Sequence, residues 1–267
     1  MNEDSVKIMG VLNVTPDSFF DGGKYTLVEN AVKQALSIEK QGATIIDIGG
    51  ESTRPGATPV SVDEEIDRVF PVINAIRQQS DVKISIDTSK SDVMRAAIQG
   101  GADIINDVCA LQMPGAMQTA ADLNVPVCLM HMLGEPRSMQ VNPVYENVVD
   151  DVLSFLNERA ESCVQHGIEK KNIWLDPGFG FGKTVNHNLS LLKHLDQLTS
   201  TKYPILVGLS RKSMLGKLLN LETEERLHGS LALATMAIMK GASIVRVHDV
   251  RETLQIVKLC EALQQAE

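Results

Sequence analysis

GATIIDIG, residues 42–49, reads as the end of one helix followed by one buried strand. Gly42 stands where a helix stops, at the position past the C-cap where a positive φ costs glycine little. Thr44 to Gly49 is nearly continuous in apolar, β-branched character and is broken only by Asp47. That is the pattern of a parallel strand covered on both faces. The phrase Gly-Ala-x-Ile-Ile/Val returns at Gly101 and Gly241, each time just before another apolar run. The intervals of 59 and 140 residues are near two and four units of about 33 residues, one eighth of the 267-residue chain.

Working outward, seven further runs share this character: KIMGVL (7–12), KISID (83–87), IINDV (104–108), VPVCLMH (125–131), IWLD (173–176), PILVGLS (204–210) and SIVRVH (243–248). With TIIDIG (44–49) they make eight. Helical periodicity fills the gaps. Val28, Ala31, Val32, Ala35 and Leu36 form one stripe. Ile66, Val69, Phe70, Ile73 and Ile76 form a second, opened by Ser61 with Glu64 three later in a capping-box pattern. Val148, Val152, Phe155 and Leu156 form a third, which stops near Gly167, and Leu254, Val257 and Leu259 mark the last. The third and fourth gaps give shorter helices. Eight β-then-α units in 267 residues match a single (β/α)8 TIM barrel, an α/β fold, read as one domain spanning 1–267. A doubly wound open sheet often carries a G-x-G-x-x-G turn after its first strand. NVTPDSFFDGG (13–23) is not one.

Composition bounds the function. With 43% hydrophobic and 22% charged residues the chain is an ordinary globular one. Its apolar runs fall short of the roughly 18 residues of a membrane span, and MNEDSVK has no apolar core of a secretion signal. The expectation is a cytoplasmic protein with no membrane partner. A net charge of −9 without a Lys/Arg run makes nucleic acid a poor partner. It leaves open a small anionic substrate, because a cleft responds to local charge. The four cysteines lie far apart and read as reduced, mostly buried core. Trp174 reads as packed under a helix. His131, His166, His187, His194 and His228 have no ligand spacing.

In a barrel the chemistry sits at the carboxyl ends of the strands. Those ends carry Asn13, Asp47, Asp87, Asn106-Asp107, Met130-His131, Asp176, Ser210-Arg211-Lys212-Ser213, and Arg246 with His248. Single Asp, Asn and Ser residues at such places can be caps and turns. A polar group at every strand end reads as a site. Asp87, Asn106 and Asp176 offer carboxylate and amide edges suited to a flat heterocycle such as a pterin. Lys212, Arg246 and His248 come from the last two strands, where barrels often bind phosphate. An ion pair with a neighbouring carboxylate is the other reading of Arg246. Two long loops, NVTPDSFFDGGKY and GESTRPGATPV, read as lids. Phe179 or Phe181 of GFGFG (178–182) reads as a ring wall.

In order along the chain stand MGVLNVTPDSFFDGG (9–23), GGESTRPGA (49–57), IDTSK (86–90), IIND (104–107), LMHM (129–132), DPGFGFGK (176–183), GLSRKS (208–213) and IVRVHDV (244–250). Over nearly its whole length the chain resembles the dihydropteroate synthase family, the folate-pathway transferases that sulfonamides inhibit. The resemblance implies that 6-hydroxymethyl-7,8-dihydropterin pyrophosphate is joined to p-aminobenzoate, giving 7,8-dihydropteroate and pyrophosphate, with Mg2+. It implies a pterin site at Asp87, Asn106, Met130, Asp176, Phe181, Gly208, Lys212 and Arg246. The pyrophosphate falls to Asn13, Thr53, Arg54, Arg246 and His248, with Asn13 near the Mg2+. The aminobenzoate falls to Phe19, Pro55, Lys212 and Ser213. Lys212, Arg246, His248 and Asp21 carry the catalysis, Asp21 near a developing cation. The family also implies a homodimer, for which Leu231, Ala234 and Ile238 read equally well as interface or core. A barrel that binds methyltetrahydrofolate for a corrinoid-dependent methyltransferase is the rival reading. It needs the amide and carboxylate edges but no cationic cluster.

Overall fold

The computed structural model describes residues 5–15, 24–52, 58–135 and 139–266, the side chains of 24–26 excepted. Eight parallel strands run as β1 (Lys7–Asn13), β2 (Ile45–Gly49), β3 (Lys83–Asp87), β4 (Ile104–Asp107), β5 (Val127–Met130), β6 (Ile173–Asp176), β7 (Leu206–Val207) and β8 (Ile244–Val247). The helices are α1 (Lys24–Lys40), α2 (Val62–Arg77), α3 (Ser91–Gln99), α4 (Ala116–Leu123), α5 (Val148–Gln165), α6 (Val185–Lys193), α7 (Leu195–Thr199), α8 (Ser213–Leu219), α9 (Leu227–Met239) and α10 (Val250–Gln264). The strands are ordered β6-β5-β4-β3-β2-β1-β8-β7. The two ends of the sheet meet where Leu175 bridges Ile205 in parallel and its N–H donates to the Pro204 carbonyl at 3.0 Å. That contact closes a (β/α)8 barrel.

The repeated glycines do what their position requires. Gly42, Gly101 and Gly241 hold φ of 110°, 110° and 92° just past α1, α3 and α9, a region open to glycine and strained for other residues. Two strands are shorter than their apolar runs. β5 starts after Pro126 and β7 lies between Pro204 and Gly208, because proline brings no ladder donor and glycine weakens a strand. The capping box at α2 is half made. Ser61 Oγ accepts the Glu64 N–H at 3.2 Å, but the Glu64 carboxylate turns to Arg68 at 2.5 Å. In the helix stripes, Phe70 and Leu259 are exposed rather than core.

Period-two alternation of the strands sorts the barrel interior into two levels. Met9, Ile45, Ile104, Cys128, Trp174, Leu206 and Ile244 make an apolar plug from seven of the strands. Trp174 therefore packs inside the barrel and not under a helix; it lies two residues before Asp176 on β6, on the same interior row. Lys7 covers its ring from the amino end, with Nζ 5.6 Å from the centroid. One step toward the carboxyl ends, the same rows deliver Asp47, Asp87, Asn106, Met130, Asp176 and Arg246. The plug thus forms a dry floor under a polar level. Cys128, Cys163 and Cys260 are buried, Cys109 is half-buried, and all four are free thiols.

Candidate active site

Arg246 crosses the polar level from β8. Its Nε donates to Asp47 Oδ2 at 2.6 Å, and its Nη2 donates to Asp87 Oδ2 at 2.8 Å. Asp47 is fully buried, and the same Oδ2 also accepts the Asn106 Nδ2 at 3.2 Å. One cation and one amide from opposite parts of the barrel thus share the β2 carboxylate. Asp176 at the end of β6 is buried, and its Oδ1 accepts the Gly178 N–H at 2.7 Å. Lys212, just before α8, reaches back so that its Nζ lies 4.4 Å from the Phe181 ring centre, a cation–π contact.

A narrow slot of about 30 Å³ is lined by Asp87, Asn106, Val108, Met130, Asp176, Phe179, Phe181, Gly208, Lys212 and Arg246. Every residue expected to hold a pterin is on that wall. Beside it lies a wider cavity of about 540 Å³ that shares Asp87, Val108 and Met130. A bicyclic ring therefore fits only by displacing side chains of the slot or by extending toward the wider cavity. Of the two phenylalanines offered as a ring wall, Phe179 belongs to the hydrophobic core and Phe181 faces Lys212.

The other expected site residues divide by place. Asn13, Ser213 and His248 lie exposed at the rim. His248 Nδ1 is 3.0 Å from Ser210 Oγ, and its backbone N–H donates to the same oxygen at 3.2 Å. Phe19, Asp21, Thr53, Arg54 and Pro55 lie outside the described residues.

The charges are set by burial. Loss of solvent pushes the Asp87 carboxyl up to about 7 against the pull of Arg246, and Asp47, Asp107 and Glu65 push the same way. Burial raises Asp176 too, opposed by the Gly178 N–H, Lys212, Lys183 and Arg246. Burial and Arg246 bring the Lys212 ammonium down to about 8, while Asp176 and Asp87 support it. Desolvation, then Arg246 and Arg211, hold His248 at about 4. These causes favour the neutral ring of this rim residue, as a hydrogen-bonding group. Arg211 is paired with Asp249 at 2.5 Å.

Two buried polar residues escaped the sequence reading. Asp47 was noted on its strand and given no role, although a carboxylate on an inward row needs a cation. Lys183 was not singled out at all. It is 3% exposed and sits beneath the loop after β6, which has no periodicity to betray it.

With this slot in place, likeness to known proteins decides between the two pterin-barrel readings. Residues 9–248 match the model of the pterin binding enzyme family. The dihydropteroate synthase of Haemophilus influenzae is 52% identical over 260 residues, covering 97% of this chain and 94% of that protein. The chain belongs to the dihydropteroate synthases of the pterin-binding enzyme family. A crystal structure of the Yersinia pestis dihydropteroate synthase with a sulfonamide drug complex superposes with a TM-score of 0.94 at 49% identity, covering 100% of this chain and 97% of that one. The Xanthomonas albilineans dihydropteroate synthase with 4-aminobenzoic acid gives 0.94 at 48% identity, with 99% and 95% covered. The activity is dihydropteroate synthesis, a transferase reaction of folate biosynthesis. The methyltransferase reading falls.

Proposed function

We propose that the chain makes dihydropteroate by a dissociative route in which the C–O bond to pyrophosphate breaks before the C–N bond to p-aminobenzoate forms. The observation that supports it is the slot itself. Asp87, Asn106 and Asp176 line it together with Lys212 and Arg246, so a heterocycle in the slot would meet carboxylate and amide edges with two cations beside them. Positive charge left on the methylene carbon spreads into the dihydropterin ring, while negative charge gathers on the leaving group. The barrier is then mostly charge separation, and preorganised donors lower it most. The arylamine is a neutral nucleophile, so the site has no need of a strong base. Mixing the protein with the pterin pyrophosphate and p-aminobenzoate is expected to release pyrophosphate. Because the C–O bond breaks first, the pterin pyrophosphate alone on the enzyme is expected to scramble an oxygen-isotope label from the bridging to the non-bridging positions; no scrambling would contradict the dissociative order.

In this reading the pterin rests against Asp87, Asn106, Met130, Asp176, Phe181, Gly208, Lys212 and Arg246. Asn13, Thr53, Arg54, Arg246 and His248 hold the pyrophosphate, His248 as a neutral donor. Phe19, Pro55, Lys212 and Ser213 hold the arylamine, and Asp21 faces the developing cation. Mg2+ suits Asn13 at the rim, whose amide oxygen is a hard donor at the exposed end of β1 and lies 3.9 Å from where a Cβ on Gly49 would stand; Asp87 Oδ2 nearby is taken by Arg246. Asn13 would hold the ion, which when bound neutralises pyrophosphate charge. Among the described residues no helix is long and apolar enough to cross a membrane, and we place the enzyme in the cytoplasm. Ala234 and Ile238 are buried in the core, whereas Met236 and Met239 of α9 and Leu259 and Leu263 of α10 are exposed. We assign that face to the homodimer contact.

Lys212 gives the reaction an alkaline limit. Its ammonium is charged below about pH 8 and neutral above. The kcat/KM for the pterin pyrophosphate is expected to fall as pH rises through that value. In Lys212→Arg the guanidinium keeps its proton, so a slower enzyme should keep its rate further into the alkaline range. Rate profiles of both proteins that fall at the same pH would remove Lys212 as the titrating group.

A further inference from the structure

We propose that Lys183 is a positioning residue for the pterin slot: its ammonium locks the loop after β6 against the loop after β5, and its charge supports Asp176 as an acceptor.

The geometry is closed on all sides. Lys183 Nζ lies 2.9 Å from His131 Nδ1 and 3.0 Å from the carbonyls of Gly178 and Phe181, with the His131 carbonyl at 3.3 Å. An ammonium has three donors and no acceptor, so these partners use it fully when it is charged; burial brings it down to about 7 against the support of Asp176, so it is charged through the acid range. Its contacts join β5 to β6. His131 follows Met130, and Gly178 and Phe181 bracket the turn that carries the slot wall. Gly178 has a φ of +68°, and a Cβ there would collide with the His131 carbonyl oxygen. The two backbones are therefore pressed together at this point, and Lys183 fills the space left by their carbonyls. From the far side Tyr145 donates its hydroxyl to the Gly182 carbonyl at 2.9 Å, and Asn188 Oδ1 accepts the Gly180 N–H at 2.7 Å.

A buried ammonium is costly to desolvate, and a methionine of the same volume would leave His131 Nδ1 and three carbonyls without their donor. The charge therefore calls for a use. Its neighbour of opposite sign is Asp176, whose backbone-bonded carboxylate faces Lys183 from its own loop, Lys212 from the β7–α8 connection and Arg246 from β8. Cys128 faces it from β5, and His131, just after β5, donates its backbone N–H to the Asp176 carbonyl at 2.9 Å; both side chains are uncharged at neutral pH because burial holds His131 near 3 and pushes the thiol up. Asp87 and Asp47 stand across the slot on β3 and β2. Removing the Lys183 charge lets the Asp176 pKa rise, so its acceptor form is lost at a higher pH.

The test uses the whole enzyme and steady-state kinetics. Lys183→Met is expected to lower kcat/KM for the pterin pyrophosphate by about 10²-fold, the scale of a small misplacement at a reacting centre. The KM for p-aminobenzoate should change little. The acid limb of the pterin profile should move to higher pH, which a merely structural residue would not cause. A folded Lys183→Met enzyme with wild-type pterin kinetics overturns the proposal, as does a loss shared equally by both substrates with the acid limb unmoved. Should Lys183→Met fail to fold, His131 carries the test. His131→Ala removes one acceptor and should raise the pterin KM about tenfold. His131→Asn places an amide oxygen near the position of Nδ1 and should restore most of the loss. Wild-type kinetics in His131→Ala, or no rescue by asparagine, overturns the proposal. Pyrophosphate release by the wild-type enzyme in the same assay is independent of all these outcomes, so the family's reaction stands or falls separately.

Discussion

Arg246→Ala is expected to cut kcat by about 10²–10³-fold, the usual cost of one preorganised donor to a charged transition state. His248→Ala should cost less, because its ring is neutral at pH 7 and offers a single hydrogen bond. Arg246 has a second duty that shapes how the variant must be read. Its Nε and Nη2 are committed to Asp47 and Asp87, so alanine leaves two buried carboxylates without their cation. Breaking such a pair typically costs about 3–5 kcal/mol. The loss carries a pH signature through Asp87. Its folded pKa, about 7 with Arg246 present, lies above the unfolded value and rises further without the arginine. Below about pH 7 Asp87 is then protonated in both folded proteins, and its share of the stability gap is constant. As pH rises past 7, the wild-type carboxyl ionises beside its arginine while the variant holds its proton, and the gap widens. Thermal melts across pH should show this, with turnover measured where both proteins are folded. Near-wild-type kcat in both Arg246→Ala and His248→Ala would defeat the cationic leaving-group mechanism, and a stability gap independent of pH would remove Asp87 as the partner.

This double duty also explains what was legible beforehand. Asp87 and Asp176 end apolar runs and Asn106 and Arg246 interrupt theirs near the carboxyl end, and period-two alternation puts such residues on inward rows. Their convergence follows from barrel closure alone. Ion pairing and phosphate binding are the two readings of Arg246; its Nε and Nη2 pair with Asp47 and Asp87 at the same level of the barrel, and it still lines the slot. Trp174 was misplaced because an apolar strand covered on both faces does not say which residues point inward. The polar residue two positions later does, since Asp176 shares its row. Asp47 could have been found the same way. Lys183 could not: it ends a glycine-rich loop whose shape comes from backbone contacts with the neighbouring loop, and no pattern along the chain encodes those. The charge of His248 is not legible along the chain for a related reason: it depends on burial and on Arg246 and Arg211 as spatial neighbours.

Asp176→Ala is expected to abolish measurable pterin binding. A pterin presents adjacent N–H donors, and each hydrogen bond to a charged acceptor contributes about 1.5–3 kcal/mol. Two lost together correspond to roughly 10²–10⁴-fold in affinity, enough to carry a micromolar ligand out of calorimetric range. The change also propagates. Asp176 supports the protonated forms of Lys212 and Lys183, so without it both ammonium groups release protons at lower pH. Lys212, charged below about 8 in the wild type, then becomes partly neutral near physiological pH. Asp176→Asn separates these effects. It preserves an acceptor for the Gly178 N–H and the shape of the loop, but it removes the charge. Its pterin affinity should fall between the wild type and alanine, with its alkaline limb shifted down. Titration calorimetry with the pterin alone, on variants shown to be folded, reads the first effect, and the rate profile reads the second. A folded Asp176→Ala protein that binds the pterin as tightly as the wild type would place the ring elsewhere in the barrel.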